Sequence, residues 1–361
     1  MGKSIKQGLK RFLFLAIAWL LAGLAVIIYG VQSDLVNFFL PTRFIVLFCL
    51  LAGAAMLVLH ILLNVASSRK KWIFAVIMAA LIVLSIFVYI REFRAYREIE
   101  LSFQNEGTEL AGTLYLPRQP SKYAAIVIAQ GSIRAPRRLY HFWADQLVRD
   151  GYAVFSFDKR GTGASGGEYE SENNSSSKNL HLLASDVAAA VNAARHHPEI
   201  DGEHVGIFGL SMGGWLGPLA AQMTDSVSFM ILVSGPAVSV SEENYFSDLA
   251  GEGHRGMAKA TLAEIDSLIM LREPSGYDPR AILQELEIPT LWLFGGSDLS
   301  VPVVKSKAVL DEMITQYRRP FEVIIYPEAR HLGFVMQWPF DLAPGFWPDV
   351  REWLNRQSAQ P

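Results

Sequence analysis

The pattern of apolar and polar positions changes character near residue 98. Before it, three uncharged apolar stretches follow one another at residues 12–31, 44–65 and 72–90. Each is close to the ~20 residues with which a helix crosses ~30 Å of hydrocarbon, so the pattern predicts three transmembrane helices and a membrane anchor over residues 1–98. The first stretch exceeds the roughly 7–15-residue apolar core of a cleaved signal peptide, and two more spans follow it. No paired charges are embedded in the spans, which argues against a transporter, and His60 and Asn64 read as interfacial or interhelical hydrogen-bonding groups.

After residue 98 the apolar runs shorten. Ile99, Leu101 and Phe103 alternate with polar residues, Asn105-Glu106-Gly107 supplies turn chemistry, and residues 110–116 alternate again, predicting a hairpin. Apolar runs at 124–129, 153–157, 205–208, 229–233, 290–294 and 321–326 then predict strands. Amphipathic segments at 140–150, 185–196, 215–223, 301–317 and 348–356 predict the helices between them. Apolar strands separated by helices imply an α/β fold with a mostly parallel sheet covered on both faces. One interval breaks the rhythm: residues 237–288 contain no convincing strand and read as a helical cap inserted into a 99–361 catalytic domain. The polar run 166–179 reads as an exposed loop.

Charge refines this picture. The net charge of −3 hides 11 Lys and Arg against 3 Asp and Glu in residues 1–98, with 21 against 32 in the rest. The acidic remainder lacks the basic footprint of a nucleic-acid binder. Seven basic residues flank the spans on the N-terminal side and four on the other. This bias predicts a multi-pass protein of the cell (plasma or inner) membrane, with a cytoplasmic amino terminus and an extracytoplasmic catalytic domain. The single cysteine, Cys49, excludes an internal disulfide and a Cys-rich metal site.

The candidate chemistry sits where strands end. Gly209-Leu210-Ser211-Met212-Gly213 follows a strand and precedes a helix, the arrangement that lifts a serine out of a sheet, and a side chain at Gly209 or Gly213 would crowd the turn. A serine hydroxyl needs a base, and the base needs a group that fixes its tautomer. Asp298 follows strand 290–294 and His331 follows strand 321–326, giving the order Ser, Asp, His with separations of 87 and 33 residues. Asp158 and Asp186 are set aside, the first as tying a turn and the second as a charge at a helix N-terminus. The oxyanion of an acyl-transfer intermediate needs two N–H donors: Met212 supplies one, and Ser132, in the loop after strand 124–129, the other. Arg134 and Arg138, with Arg137 beside them, are candidates to receive an anionic substrate group, against the alternative of solvated surface charges.

Together these residues resemble the α/β-hydrolase superfamily, specifically bacterial esterases and serine aminopeptidase-like hydrolases with a helical cap. The resemblance spans about Ile99 to Gln357 and rests on residues 209–213, on Asp158-Lys159-Arg160-Gly161-Thr162-Gly163-Ala164-Ser165-Gly166, on Gly296-Ser297-Asp298 with Val301-Pro302, and on Ala329-Arg330-His331. Members commonly carry His-Gly in the oxyanion loop, where this chain has Gln130-Gly131. The expectation is a membrane-anchored serine hydrolase that needs no metal or organic cofactor and cleaves a carboxylic ester or thioester of a small-molecule or lipid-like substrate. A peptidase, with Glu242-Glu243 gripping a substrate amino terminus, is the alternative within enzymes. A non-catalytic membrane binding protein on the same fold is the alternative outside them.

Overall fold

The computed structural model describes residues 96–170, 175–251, 258–336 and 341–358, together with Val83. The three apolar stretches assigned to the membrane otherwise lie outside the described residues, among which no helix is long and apolar enough to cross a membrane. The chain divides into two units between Ala95 and Tyr96, and the second unit holds the sheet and all of its helices.

Strands β1 (Tyr96–Asn105) and β2 (Thr108–Pro117) form the expected antiparallel hairpin. Glu106 and Gly107 both have positive φ, 47° and 73°, the geometry that a two-residue hairpin loop requires. The chain continues through β3 (Tyr123–Ala129), α1 (His141–Arg149), β4 (Ala153–Phe157), α2 (Ser177–Arg195), β5 (Ile200–Leu210), α3 (Gly213–Met223) and β6 (Phe229–Val233). The interval between β6 and the next strand holds α4 (Val240–Ala250), α5 (Leu262–Met270) and α6 (Arg280–Glu285). Then come β7 (Thr290–Gly295), α7 (Val303–Thr315), β8 (Phe321–Tyr326), the short pair β9 (Phe334–Val335) and β10 (Asp341–Leu342), and α8 (Phe346–Ser358).

Eight strands make one sheet in the order β1-β2-β4-β3-β5-β6-β7-β8. β2 is antiparallel to β1 and β4, and every later pairing is parallel. This is the α/β-hydrolase fold. Alternate residues of the central strands enter two cores. Val127, Ile207, Leu232 and Trp292 face α2, α3 and α7. Phe208 and Phe229 point the other way, to Trp143 of α1 and Trp353 of α8, with ring centroids 5.4 and 6.2 Å apart. Burial on both faces explains why these strands read as continuous apolar runs.

Two sequence expectations need correction. Helix α2 starts at Ser177, inside the run read as a loop: the Ser176 hydroxyl caps it by accepting from Asn179 N at 3.2 Å, and Leu180, Leu183, Ala184 and Val187 form its buried stripe. Asp186 therefore does not open the helix. It lies buried within α2, where both carboxylate oxygens accept from Arg160, at 2.9 and 2.5 Å.

Candidate active site

The site is assembled at the carboxyl ends of β3, β5, β6, β7 and β8, where an open parallel sheet presents its loops. Ser211 sits between β5 and α3 with φ of 53°, a left-handed backbone imposed by the tight turn. The turn tolerates nothing larger than its glycines. A Cβ at Gly209 would stand 2.7 Å from Gly213 O, and one at Gly213 would stand 2.5 Å from Ala129 O. Ser211 N donates to Val233 O at 2.9 Å, while Ser211 O accepts from Gly214 N at 2.8 Å as α3 begins.

His331 and Asp298 come together from neighbouring strands. His331 Nδ1 lies 2.9 Å from Asp298 Oδ2 and 3.1 Å from Oδ1. Oδ1 also accepts from Ser300 N at 2.8 Å and Val301 N at 3.1 Å. Burial pushes the Asp298 carboxyl up, but His331 and the two backbone donors outweigh it and hold the group below its ordinary value. An ionised Asp298 accepts, so Nδ1 carries the donated proton and Nε2 is left to act as a base. The loops are joined by Ser297 N donating to Ala329 O at 2.8 Å and Gly296 N to Tyr326 O at 2.8 Å.

The loop after β3 lies against Ser211: a Cβ on Gly131 would stand 3.5 Å from Ser211 Cβ. Ser132 follows it, and Met212 is the N-cap of α3. Gln130 is buried, and its Nε2 donates to Phe157 O at the end of β4. The three arginines separate. Arg137 is a structural residue, its N and Nη1 donating to Asp158 at 2.7 and 2.6 Å and its Nε to Thr113 Oγ1 at 2.8 Å. Arg138 is exposed, and so is Arg134, whose guanidinium lies 5.9 Å from the Tyr169 ring centroid. Asp158 ties its turn as expected, accepting from Ala164 N at 2.8 Å as well as from Arg137.

The inserted helices meet the site through two glutamates with opposite characters. Glu242 is fully buried and cannot grip a substrate. It pairs with Lys305 at 2.6 Å and Arg280 at 2.9 Å, and accepts from Ser239 N at 2.7 Å. Burial raises its pKa, and Arg280, Lys305 and Ser239 more than reverse that, down to about 2. Glu243 is half-buried, within electrostatic reach of His331, Asp298 and Asp248, and burial pushes it up to about 7. Phe246, Ala250, Ile265 and Ile269 form a small apolar core of their own, against which Leu299, next to Asp298, packs.

Sequence reasoning missed Ser234, at the end of β6. Its backbone has φ of 47°, its N donates to Leu293 O at 2.8 Å, and its hydroxyl accepts from Leu332 N at 3.0 Å. Ser234 thus ties the residue after His331 to the centre of the sheet. The available signal was a serine at a strand end directly before Gly235-Pro236.

Residues 140–337 match the prolyl oligopeptidase family. Among curated proteins, the uncharacterized peptidase YtmA of Bacillus subtilis is 23% identical over 235 residues, covering 64% of this chain and 84% of its own length. Among solved structures, an esterase of Pyrococcus furiosus superposes with a TM-score of 0.55 at 19% identity, covering 74% of this chain and 93% of its own. An acylaminoacyl peptidase of Pyrococcus horikoshii gives 0.51 at 16% identity over 68% of this chain and 39% of its own.

Proposed function

The chain belongs to the prolyl oligopeptidase family of serine hydrolases, and from that premise we propose that it cleaves an acyl bond through a covalent intermediate on Ser211. The observation that carries the reading is the buried Asp298 holding His331 Nδ1 at 2.9 Å, at the end of the sheet that also presents Ser211 on a strained turn. His331 Nε2 takes the Ser211 proton as Oγ attacks the carbonyl carbon, and Asp298 stabilises the imidazolium. The N–H groups of Met212 and Ser132 receive the oxyanion. His331 returns the proton to the leaving group, and water then releases the acyl group by the same steps in reverse.

The substrate is an ester or thioester with an apolar acyl part. The apolar core of α4 and α5 reaches the Asp298 loop through Leu299, and Leu268, Met270 and Leu271 are exposed on and just after α5. The apolar stretches at 12–31, 44–65 and 72–90 anchor the enzyme in the cell membrane, with the catalytic domain on the extracytoplasmic side. Arg134 and Arg138 meet an anionic group of the substrate at the site's rim. Peptide cleavage is the second reading, favoured by Glu243, the half-buried carboxyl that faces His331 and Asp298 from the inserted helices.

The test is a panel of p-nitrophenyl esters, acyl thioesters and aminoacyl p-nitroanilides turned over by wild type and S211A. Higher kcat/KM on esters or thioesters, abolished in S211A, supports the first reading. A preference for aminoacyl anilides that is lost in E243Q supports the second.

A further inference from the structure

Three consecutive residues leave the end of β4 in three directions. Asp158 holds Arg137 and Ala164, and Arg160 holds Asp186 within α2. Lys159 turns between them to the loop beside Ser211, where its Nζ donates to Gly131 O and, at 3.1 Å, to Ile133 O. The carbonyl between those two, Ser132 O, accepts from the Tyr169 hydroxyl, and Lys159 Nζ lies 5.4 Å from the Tyr169 ring centroid. Three successive carbonyls are thus held by one ammonium and one phenol.

Lys159 is 3% exposed, and its Nζ contacts among the described residues are carbonyls and the Tyr169 ring rather than a carboxylate. A buried charge without a counter-ion costs several kcal/mol, so its position calls for a return. That return lies in the peptide unit itself. Gly131 C=O and Ser132 N–H are the two ends of one planar group, so a cation on the carbonyl fixes the plane and strengthens the N–H as a donor.

We propose that Lys159 is the positioning residue of the oxyanion hole: it aims the Ser132 N–H at the developing oxyanion and adds positive potential behind it. The proposal rests on the serine-hydrolase reading of Ser211. It also gives that hole a protonation state. Burial pushes the Lys159 ammonium down to about 7. Among the described residues the ionisable groups around it are Tyr169 and Arg134 on the loop side and Tyr140, which lies against Gly131 and Tyr169; Asp158 and Arg160 beside it are committed to Arg137 and Asp186. Below that pH Lys159 is charged and the hole is complete; above it the charge is lost, so kcat/KM falls on the alkaline side.

The experiment measures p-nitrophenyl ester turnover and inhibition by a trifluoromethyl ketone for wild type, K159M, K159R and Y169F. K159M is expected to lose about 10- to 100-fold in kcat, somewhat less than removal of an oxyanion donor itself, with KM within about twofold. Its affinity for the ketone, which mimics the tetrahedral anion, falls by the same factor. K159R keeps its charge, so its alkaline limb moves up or disappears, a change that a packing role would not produce. Y169F, which removes the hold on Ser132 O alone, loses less than K159M and keeps the wild-type limb; it carries the test together with K159R if K159M does not fold. Wild-type kcat in K159M, or an unchanged alkaline limb in K159R, overturns the assignment while Ser211-dependent turnover persists. Absence of that turnover in wild type overturns the underlying reading instead.

Discussion

Replacing Asp298 by asparagine exchanges one carboxylate oxygen for an NH2 group and removes one charge, and the structure dictates which way the new amide faces. Asp298 Oδ1 accepts from Ser300 N at 2.8 Å and Val301 N at 3.1 Å, so only the amide oxygen can occupy that position. The NH2 group must then stand at the Oδ2 position, 2.9 Å from His331 Nδ1. An NH2 group only donates, so Nδ1 becomes an acceptor and the ring proton moves to Nε2, where the base is needed. The imidazole is held in the wrong tautomer with its geometry intact. The equivalent change in a Ser-His-Asp enzyme lowers kcat by about 10⁴, which at ~1.36 kcal/mol per decade is ~5.4 kcal/mol of barrier. Because Asp298 is buried, no water restores the lost acceptor. The hydrogen bonds are redirected rather than removed, so folding stability should change by only about 1–2 kcal/mol. Stopped-flow acylation by a p-nitrophenyl ester, with a melting curve of the same sample, measures both quantities. D298N with kcat within tenfold of wild type and a native melting curve would refute the assignment of Asp298.

The other predictions address the supporting structure. E242A leaves Arg280 and Lys305 facing each other and costs about 3–5 kcal/mol in urea unfolding. Glu242 is held at about 2 against an ordinary 4.5, so its contribution is complete above pH ~4.5 and lost as pH falls toward 2; a wild-type urea midpoint that does not drop over this window counts against it. G209A drives a Cβ to 2.7 Å from Gly213 O and 2.6 Å from Leu232 Cδ2, and should abolish labelling of Ser211 even in the soluble fraction that folds. S234A frees Leu332 N and should lower kcat more than it raises KM, because it loosens the His331 loop and touches no substrate.

The parts of the fold legible in the sequence are those that burial writes twice. β3, β6 and β7 are covered on both faces, so their side chains are apolar at almost every position and the apolar runs mark their bounds to within a residue. The apolar run marks β5 only at 205–208, because Asp201, Gly202, Glu203 and His204 offer no apolar side chain and lie at the solvated start of the strand, although the strand runs from Ile200 to Leu210. The first turns of α2 are hidden by Ser176, Ser177, Lys178 and Asn179, whose polarity imitates a loop while Leu180 and Leu183 already face the core. The two-residue strands β9 and β10 are too short for any periodicity. Asp298 and His331 are readable because Asp298 is the first acid after β7 and His331 the first imidazole after β8. Ser234 and Lys159 are not, because they act through backbone carbonyls and amides of other loops, and a contact of that kind leaves no spacing in the chain. Glu242 and Glu243 show the same limit: adjacent and chemically alike, they differ only in whether Arg280 and Lys305 surround them.

The central claim is that Ser211 is a nucleophile activated by His331, and one measurement reads it directly. The protein is treated with a fluorophosphonate, digested, and the adduct located by peptide mass spectrometry in wild type, S211A and H331A. The account predicts a single adduct on Ser211, absent in S211A and slowed by at least about 10³-fold in H331A. An adduct on another residue, or equal labelling of H331A and wild type, would contradict it.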